Sequence, residues 1–197
     1  MKTAGIVLGV IAGFFLLVGL WFMGTYNGFV SRREAVNTAW AQVQNVYQRR
    51  LDLVPNLVAT VKGAAHFEKS TLTAVVEARA KASQMTIDKS VLEDPNAFQK
   101  FQAVQGQLSS ALSRLMVTVE RYPQLTATAN FRDLQVQLEG TENRIAVERR
   151  NFNEAAQAYN TAIQRMPGAL VANMSGFRPR PYFEAQTQAQ QAPAVKF

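Results

Sequence analysis

Residues 131–162 read FRDLQVQLEGTENRIAVERRNFNEAAQAYNTA. Phe131, Leu134, Leu138, Thr141, Ile145, Glu148, Phe152, Ala155, Tyr159 and Ala162 recur in this stretch at alternating steps of three and four. That spacing is the 3.5-residue period of a helix that buries one stripe. Two more stretches keep it: Val36, Trp40, Val43, Tyr47, Arg50, Val54, Leu57, Val61 and Ala64, then Phe98, Phe101, Gln105, Leu108, Leu112, Leu115, Val119 and Tyr122. A strict 3.5 repeat drifts against the 3.6 of a straight helix, so helices sharing it pack at a shallow left-handed angle. The chain is therefore expected to be all-α, with an antiparallel bundle of three to four long helices and left-handed, coiled-coil-like packing.

Breakers mark the ends of the stripes. Asp94-Pro95-Asn96 precedes the second, Tyr122-Pro123 closes it, and Pro167-Gly168 closes the third. The connections are short, which makes neighbouring helices antiparallel. Pro55 falls inside the first stripe, removes a backbone donor and crowds the carbonyl of Leu51, so a kink is expected there. The helix is expected to resume through Leu57 to about Lys81, with a less regular stretch over 82–94. Residues 186–197, rich in Gln and Ala with Pro193, are expected to be disordered or loosely attached.

Upstream of the stripes, Ala4 to Gly24 reads AGIVLGVIAGFFLLVGLWFMG without a charge. At about 1.5 Å per residue, a helix of that length crosses a hydrocarbon core of about 30 Å. Trp21, Phe22, Tyr26 and Phe29 gather at its C-terminal end as a membrane-interface belt, and Lys2 holds the other end. The run exceeds a usual signal-peptide core, and no small-x-small site follows before Arg32, which argues for an uncleaved anchor. Gly5, Gly9 and Gly13 repeat every fourth residue and share one helix face. That face either packs against another transmembrane helix or meets lipid. Arg32 and Arg33 after the span, against Lys2 before it, place the downstream domain on the cytoplasmic side by a margin of one charge. The organisation expected is a flank at 1–3, a transmembrane helix at 4–25, a bundle at 26–172, an extended aromatic segment at 173–185 and the tail.

Three polar residues interrupt the stripes: Arg50, Gln105 and Glu148. Antiparallel packing would bring Arg50 level with Glu148, giving a buried ion pair that sets the register of the bundle. The other reading is that both side chains snorkel to water from the stripe edge. Ser175 to Phe183 reads SGFRPRPYF, in which two prolines impose an extended path and Phe177, Tyr182 and Phe183 need cover. Folding back onto the bundle and capture by a partner protein are the two ways to cover them.

Material for catalysis is sparse. Cysteine is absent, and His66 is the sole histidine, without HExxH or a second ligand at helical spacing. No Gly-rich phosphate loop occurs, and Glu34, Asp52, Glu68 and Glu77 share no common face. A net charge of +7 comes from scattered bases, including Arg49-Arg50, Arg144 and Arg149-Arg150, without the aromatic interleaving of a nucleic-acid surface. The residues point away from an enzyme, from a cofactor or metal, and from nucleic acid.

Several motifs resemble the LemA proteins of bacteria. They are Y26NGFVSRR33, A39WAQVQNVYQRRLDLVPNLVATVKGAAHFE68, T71LTAVVEARA80, E120RYPQL125, F131RDLQVQLEGTENRIAVERRNFNEAAQAYNTAIQRMPGALVA172 and G176FRPRPYFEA185. Phe152 stands where the family pattern more often has tyrosine. The resemblance implies an antiparallel bundle on a membrane anchor, a bacterial cell-membrane location, no established catalytic activity and an association with membrane organisation and with neighbouring membrane proteases. Together these readings lead to a non-enzymatic scaffold at the bacterial inner membrane, contacting the bilayer and forming a homo-oligomer through the glycine face and bundle. The alternative is an accessory or adaptor subunit of a membrane enzyme such as a protease.

Overall fold

The computed structural model describes residues 2–63, 67–85 and 88–184. Ala64, His66 and the tail 186–197 lie outside the described residues. All regular structure in the described chain is helical: α1 Lys2–Lys62, α2 Lys69–Gln84, a 3₁₀ turn Lys89–Leu92, α3 Pro95–Val119, the single turn α4 Pro123–Thr126, α5 Ala129–Gln164 and α6 Gly168–Met174. The chain divides into two compact units, one of residues up to Thr38 with Glu154–Arg180, the other of Ala39–Asn153 with the chain from Pro181.

The larger unit is an up-down-up-down bundle of α1, α2, α3 and α5. Along α1 from Trp40 to Arg50, the partners on α3 rise from Phe98 to Gln105 while those on α5 fall from Phe152 to Glu142. Hence α1 runs parallel to α3 and antiparallel to α5. On the α2 side, the Trp40 indole N–H donates to the Asp88 carbonyl and Arg79 reaches Leu51, which makes α2 antiparallel to α1. Val54, Leu57 and Val61 of α1 meet Val75 and Ala78 of α2 and Leu108, Leu112, Leu115 and Val119 of α3 in one apolar cluster. The α1 and α3 positions belong to the first two stripes, which the fold buries as their period requires. In the third stripe, Phe131, Leu138, Thr141, Ile145, Phe152 and Tyr159 are buried, but Ala156 and Ile163 are buried where Ala155 and Ala162 were expected. A real helix turns 3.6 residues at a time, so over α5 the buried face slips by one residue against a strict 3.5 repeat.

The helix ends follow local chemistry. Asp94 caps α3 by accepting from the Asn96 N–H, and Pro95 takes the first turn, where its missing donor is harmless. Asp88 does the same for the 3₁₀ turn, and hydrogen bonds from the Ser90 hydroxyl and then its backbone N–H hold the Asp88 carboxyl below the usual carboxylate range.

The expected long helix through Lys81 is two helices instead. α1 ends at Lys62, before a turn at Gly63, and α2 begins at Lys69. Glycine costs about 1 kcal/mol in a helix relative to alanine, so the stop falls where the backbone is least committed. The helix passes through Pro55 without interruption. Proline supplies no N–H for the Leu51 carbonyl four residues earlier, and that acceptor takes a hydrogen bond from Arg79 Nε at 3.0 Å instead.

This pairing predicts that Arg79→Ala lowers stability by about 1–2 kcal/mol and loses most of its effect in a Pro55→Ala background, where the ordinary helical bond returns. Urea titration of the full-length chain in detergent measures both, and equal losses in the two backgrounds refute the assignment.

Candidate functional site

The most polar part of the larger unit is built on Arg50, whose side chain is 1% exposed. Nη1 donates to the Ser109 hydroxyl at 2.7 Å and to Glu142 Oε1 at 3.0 Å. Nη2 donates to the Gln105 side-chain oxygen and, at 3.4 Å, to its backbone carbonyl. The guanidinium carbon also lies 5.0 Å from the centre of the Tyr47 ring, within range of a cation–π attraction. One cation thereby ties α1 to α3 and α5. Burial pushes the Tyr47 phenol above its ordinary range, against the opposing pull of Arg149 and Arg50. The sequence paired Arg50 with Glu148, but its acid is Glu142, and Gln105, expected only as a polar interruption of the second stripe, is a further acceptor. Glu148 lies six residues further along α5 and accepts from Asn151. Six residues advance the helix by about 9 Å, so the expected pairing was misplaced by more than one turn.

An open cleft of about 1020 Å³ lies beside this centre, lined by residues of α2, α3 and α5 that include Glu77, Lys81, Gln102, Arg114, Glu142 and Arg149. Its lining mixes these charged and amide side chains with alanines and Ile145. Among the described residues, no group of three or more His, Cys, Asp or Glu side chains is placed to hold a metal ion.

At the Trp40 end of the larger unit, Phe183 from the extended segment enters the aromatic core. It lies 4.9 Å from Phe98, 5.4 Å from Phe152 and 6.1 Å from Trp40, measured between ring centres. Arg149 covers it at 4.6 Å and donates to the Glu184 carbonyl. Asn153 grips the Phe183 backbone twice, donating from Nδ2 to its carbonyl and accepting its N–H through Oδ1, each at 2.9 Å. Gln102 accepts the next N–H, from Glu184. Phe152 is fully buried in this apolar ring set, where phenylalanine needs no partner for a hydroxyl.

The smaller unit repeats the asparagine device. Asn160 donates to the Arg180 carbonyl and accepts the Arg180 N–H, both at 2.8 Å. Asn153 and Asn160 are one heptad apart on α5. In the same unit, Phe177 packs edge-on against Tyr26 and Phe29, and Arg33 lies over its ring at 5.3 Å. The reversal that brings Phe177 there follows α6: Gly176 adopts φ +72°, its N–H reaches the Asn173 carbonyl, and the Phe177 N–H reaches that of Ala172. Gly168 permits the approach of α6 to α1, since a Cβ there would lie 3.0 Å from the Phe29 ring. Burial pushes the Tyr159 phenol up as well, opposed by Arg180 and Arg33.

Of the aromatic segment, Phe177 and Phe183 are spent on internal packing, whereas Tyr182 is exposed. Of the belt, Trp21 and Tyr26 are exposed, Phe22 is half-buried and Phe29 is covered by Gly168 and Phe177. Around Gly5, Gly9 and Gly13, nothing among the described residues beyond the adjoining helix backbone comes within 4 Å of where a Cβ would stand. Glu142, Asn153, Asn160 and Arg79 escaped the sequence reading. The asparagines left a signal in their heptad spacing beside the stripe, and Arg79 left one in the acceptor that Pro55 orphans.

The fold and the apolar run of α1, long enough to cross a membrane and exposed over nearly all of it, define a membrane-associated, all-helical protein. The family model described as LemA family matches residues 39–197, and the chain belongs to that family. It is similar to magnetosome protein MamQ of Magnetospirillum gryphiswaldense, at 29% identity over 80% of this chain and 64% of that protein. It is also similar to magnetosome protein MamQ 2 of Paramagnetospirillum magneticum, at 28% over 81% and 64%, and to protein LemA of Metamycoplasma hominis, at 23% over 76% and 66%. The chain thus spans just under two thirds of the length of these curated relatives.

Removing Glu142 strands a buried guanidinium, although the partial exposure of this carboxylate moderates the loss. Glu142→Ala is expected to cost about 2 kcal/mol, while Glu148→Ala stays within about 0.5 kcal/mol, as read by denaturant titration. The clamp gives a separate test: Asn153→Ala is expected to speed chymotryptic cleavage after Phe183, with the midpoint of global unfolding moving far less than that rate. The raised Tyr47 phenol sets an alkaline limit, because its contribution is complete below the unfolded value near 10 and is lost as pH rises through the folded one. Tyr47→Phe should therefore flatten the fall in stability above about pH 10.

Proposed function

We propose that this LemA-family chain is a non-enzymatic scaffold of the bacterial cell membrane, anchored once through the α1 run and assembled with further copies of itself through the face of Gly5, Gly9 and Gly13. The observation that carries the reading is the state of that face. Among the described residues no side chain comes within 4 Å of a Cβ built there, and the face lies in an apolar run exposed except at the half-buried Phe22, as a helix awaiting a neighbour in lipid requires. In this reading the anchor is retained, and the bases at Arg32 and Arg33 keep the downstream helices on the cytoplasmic side.

The accessory reading, an adaptor for a membrane enzyme such as a protease, draws its support from the open polar cleft on α2, α3 and α5. The two readings part on purification. The scaffold predicts a homo-oligomer after mild detergent extraction, which Gly9→Leu reduces to monomer without changing helix content. A stoichiometric enzyme in the purified complex selects the adaptor instead, and a monomer without partners defeats both. Labelling of a cysteine introduced into the tail with a membrane-impermeant reagent checks the side of the membrane.

A further inference from the structure

Residues 166–174, MPGALVANM, carry no charge. Gly168, Val171 and Ala172 are buried, yet Met166, Leu170 and Met174 are 67%, 55% and 80% exposed. Leu170 and Met174, four apart within α6, share one side of that helix, and Met166 lies in the turn just before it. Apolar side chains as large as Leu170 and Met174 are ordinarily enclosed, and here they stand open on the side of α6 whose one polar residue is Asn173.

Its place in the smaller unit indicates what covers it. Gly168 abuts Phe29, and Phe177, just past α6, packs on Tyr26 and Phe29. Tyr26 and Phe29 follow the last residue of the uncharged run, Gly24, by two and five positions, or by about 3 and 7.5 Å of helical rise. With the run filling a hydrocarbon core of about 30 Å, the headgroup layer adds about 5–7 Å on each side. Tyr26 therefore lies within the headgroup layer and Phe29 at its outer edge, and the elements packed on the two lie at the same level. Bases flank the apolar stretch: Arg165 precedes it, Arg178 follows it, and Arg33 stands over the Phe177 ring. Cations around an apolar face suit lipid phosphates bordering acyl chains.

We propose that α6 is a second membrane contact, lying in the phospholipid interface beside the anchor with Leu170 and Met174 set into the headgroup layer. This rests on the reading of the α1 run as a span. The contact gives α1 a fixed rotation about its axis, because the flank that carries α6 must stay against the bilayer surface.

The natural chain has no cysteine, so single cysteines introduced in the full-length protein can carry a nitroxide. Positions 170 and 174 test α6, Leu16 reports the run, and the exposed Gln157 of α5 serves as the water control. The protein is reconstituted into phosphatidylcholine vesicles containing one quarter phosphatidylglycerol, and collisions with oxygen and with a water-soluble nickel chelate are compared. Labels at 170 and 174 are expected to show an oxygen-to-nickel ratio several-fold above that at 157 and below that at 16. If 16 reads lipid while 170 and 174 match 157, the proposal is wrong and the span survives. A watery signal at 16 removes the span and the proposal together. Shielding of 170 and 174 from both reagents means protein covers α6, and that overturns the proposal too.

Discussion

A guanidinium withdrawn from water must find acceptors, and this requirement at Arg50 organises the larger unit. Arg50 sits in the middle of a stripe that is otherwise apolar, between Tyr47 and Val54. Apolar contacts tolerate a shift along a helix far better than a forked cation does. By requiring Gln105, Ser109 and Glu142 at once, Arg50 selects one axial alignment of α1, α3 and α5 from the several that similar stripes would permit. The polar residues within the second and third stripes then make sense: Gln105 is the acceptor that Arg50 needs, and the buried Thr141 hydroxyl donates to the Gln137 carbonyl of its own helix.

Much of this architecture is legible in the residues because burial imposes a period, and a period survives in a single sequence. Seven described positions of the first stripe from Trp40 to Val61 are all buried, and the Asp94-Pro95 start is a local cap that needs no tertiary knowledge. What escaped depends on pairing between distant segments. Nothing near Arg50 distinguishes Glu142 from Glu148, since the choice is made by axial alignment. The end of α1 at Lys62 is a competition between helix propagation and the gain from folding α2 back onto α1, and local propensity weighs only one side of it.

Pro55 shows how a local rule and a tertiary contact complete each other. The residue breaks one helical bond by its own chemistry, and that consequence is readable from sequence. The compensation comes from Arg79, on a different helix. A prolonged α1 reaching Lys81 would have placed Arg79 on the same helix as the carbonyl that it satisfies, about 42 Å further along the axis. The reversal between α1 and α2 is thus a condition for the proline to be tolerated at its observed position.

The stretch from Pro179 to Glu184 has no regular structure of its own, and such a stretch is where strand pairing between molecules can begin. Here the donors needed for such pairing are mostly gone. Pro179 and Pro181 have none, and the N–H groups of Arg180, Phe183 and Glu184 are held by Asn160, Asn153 and Gln102. Amide side chains supplied by helices do what a neighbouring strand would do in a sheet, one residue at a time. The segment thereby presents no continuous edge, and a protein concentrated in the plane of a membrane is spared a route to cross-chain aggregation.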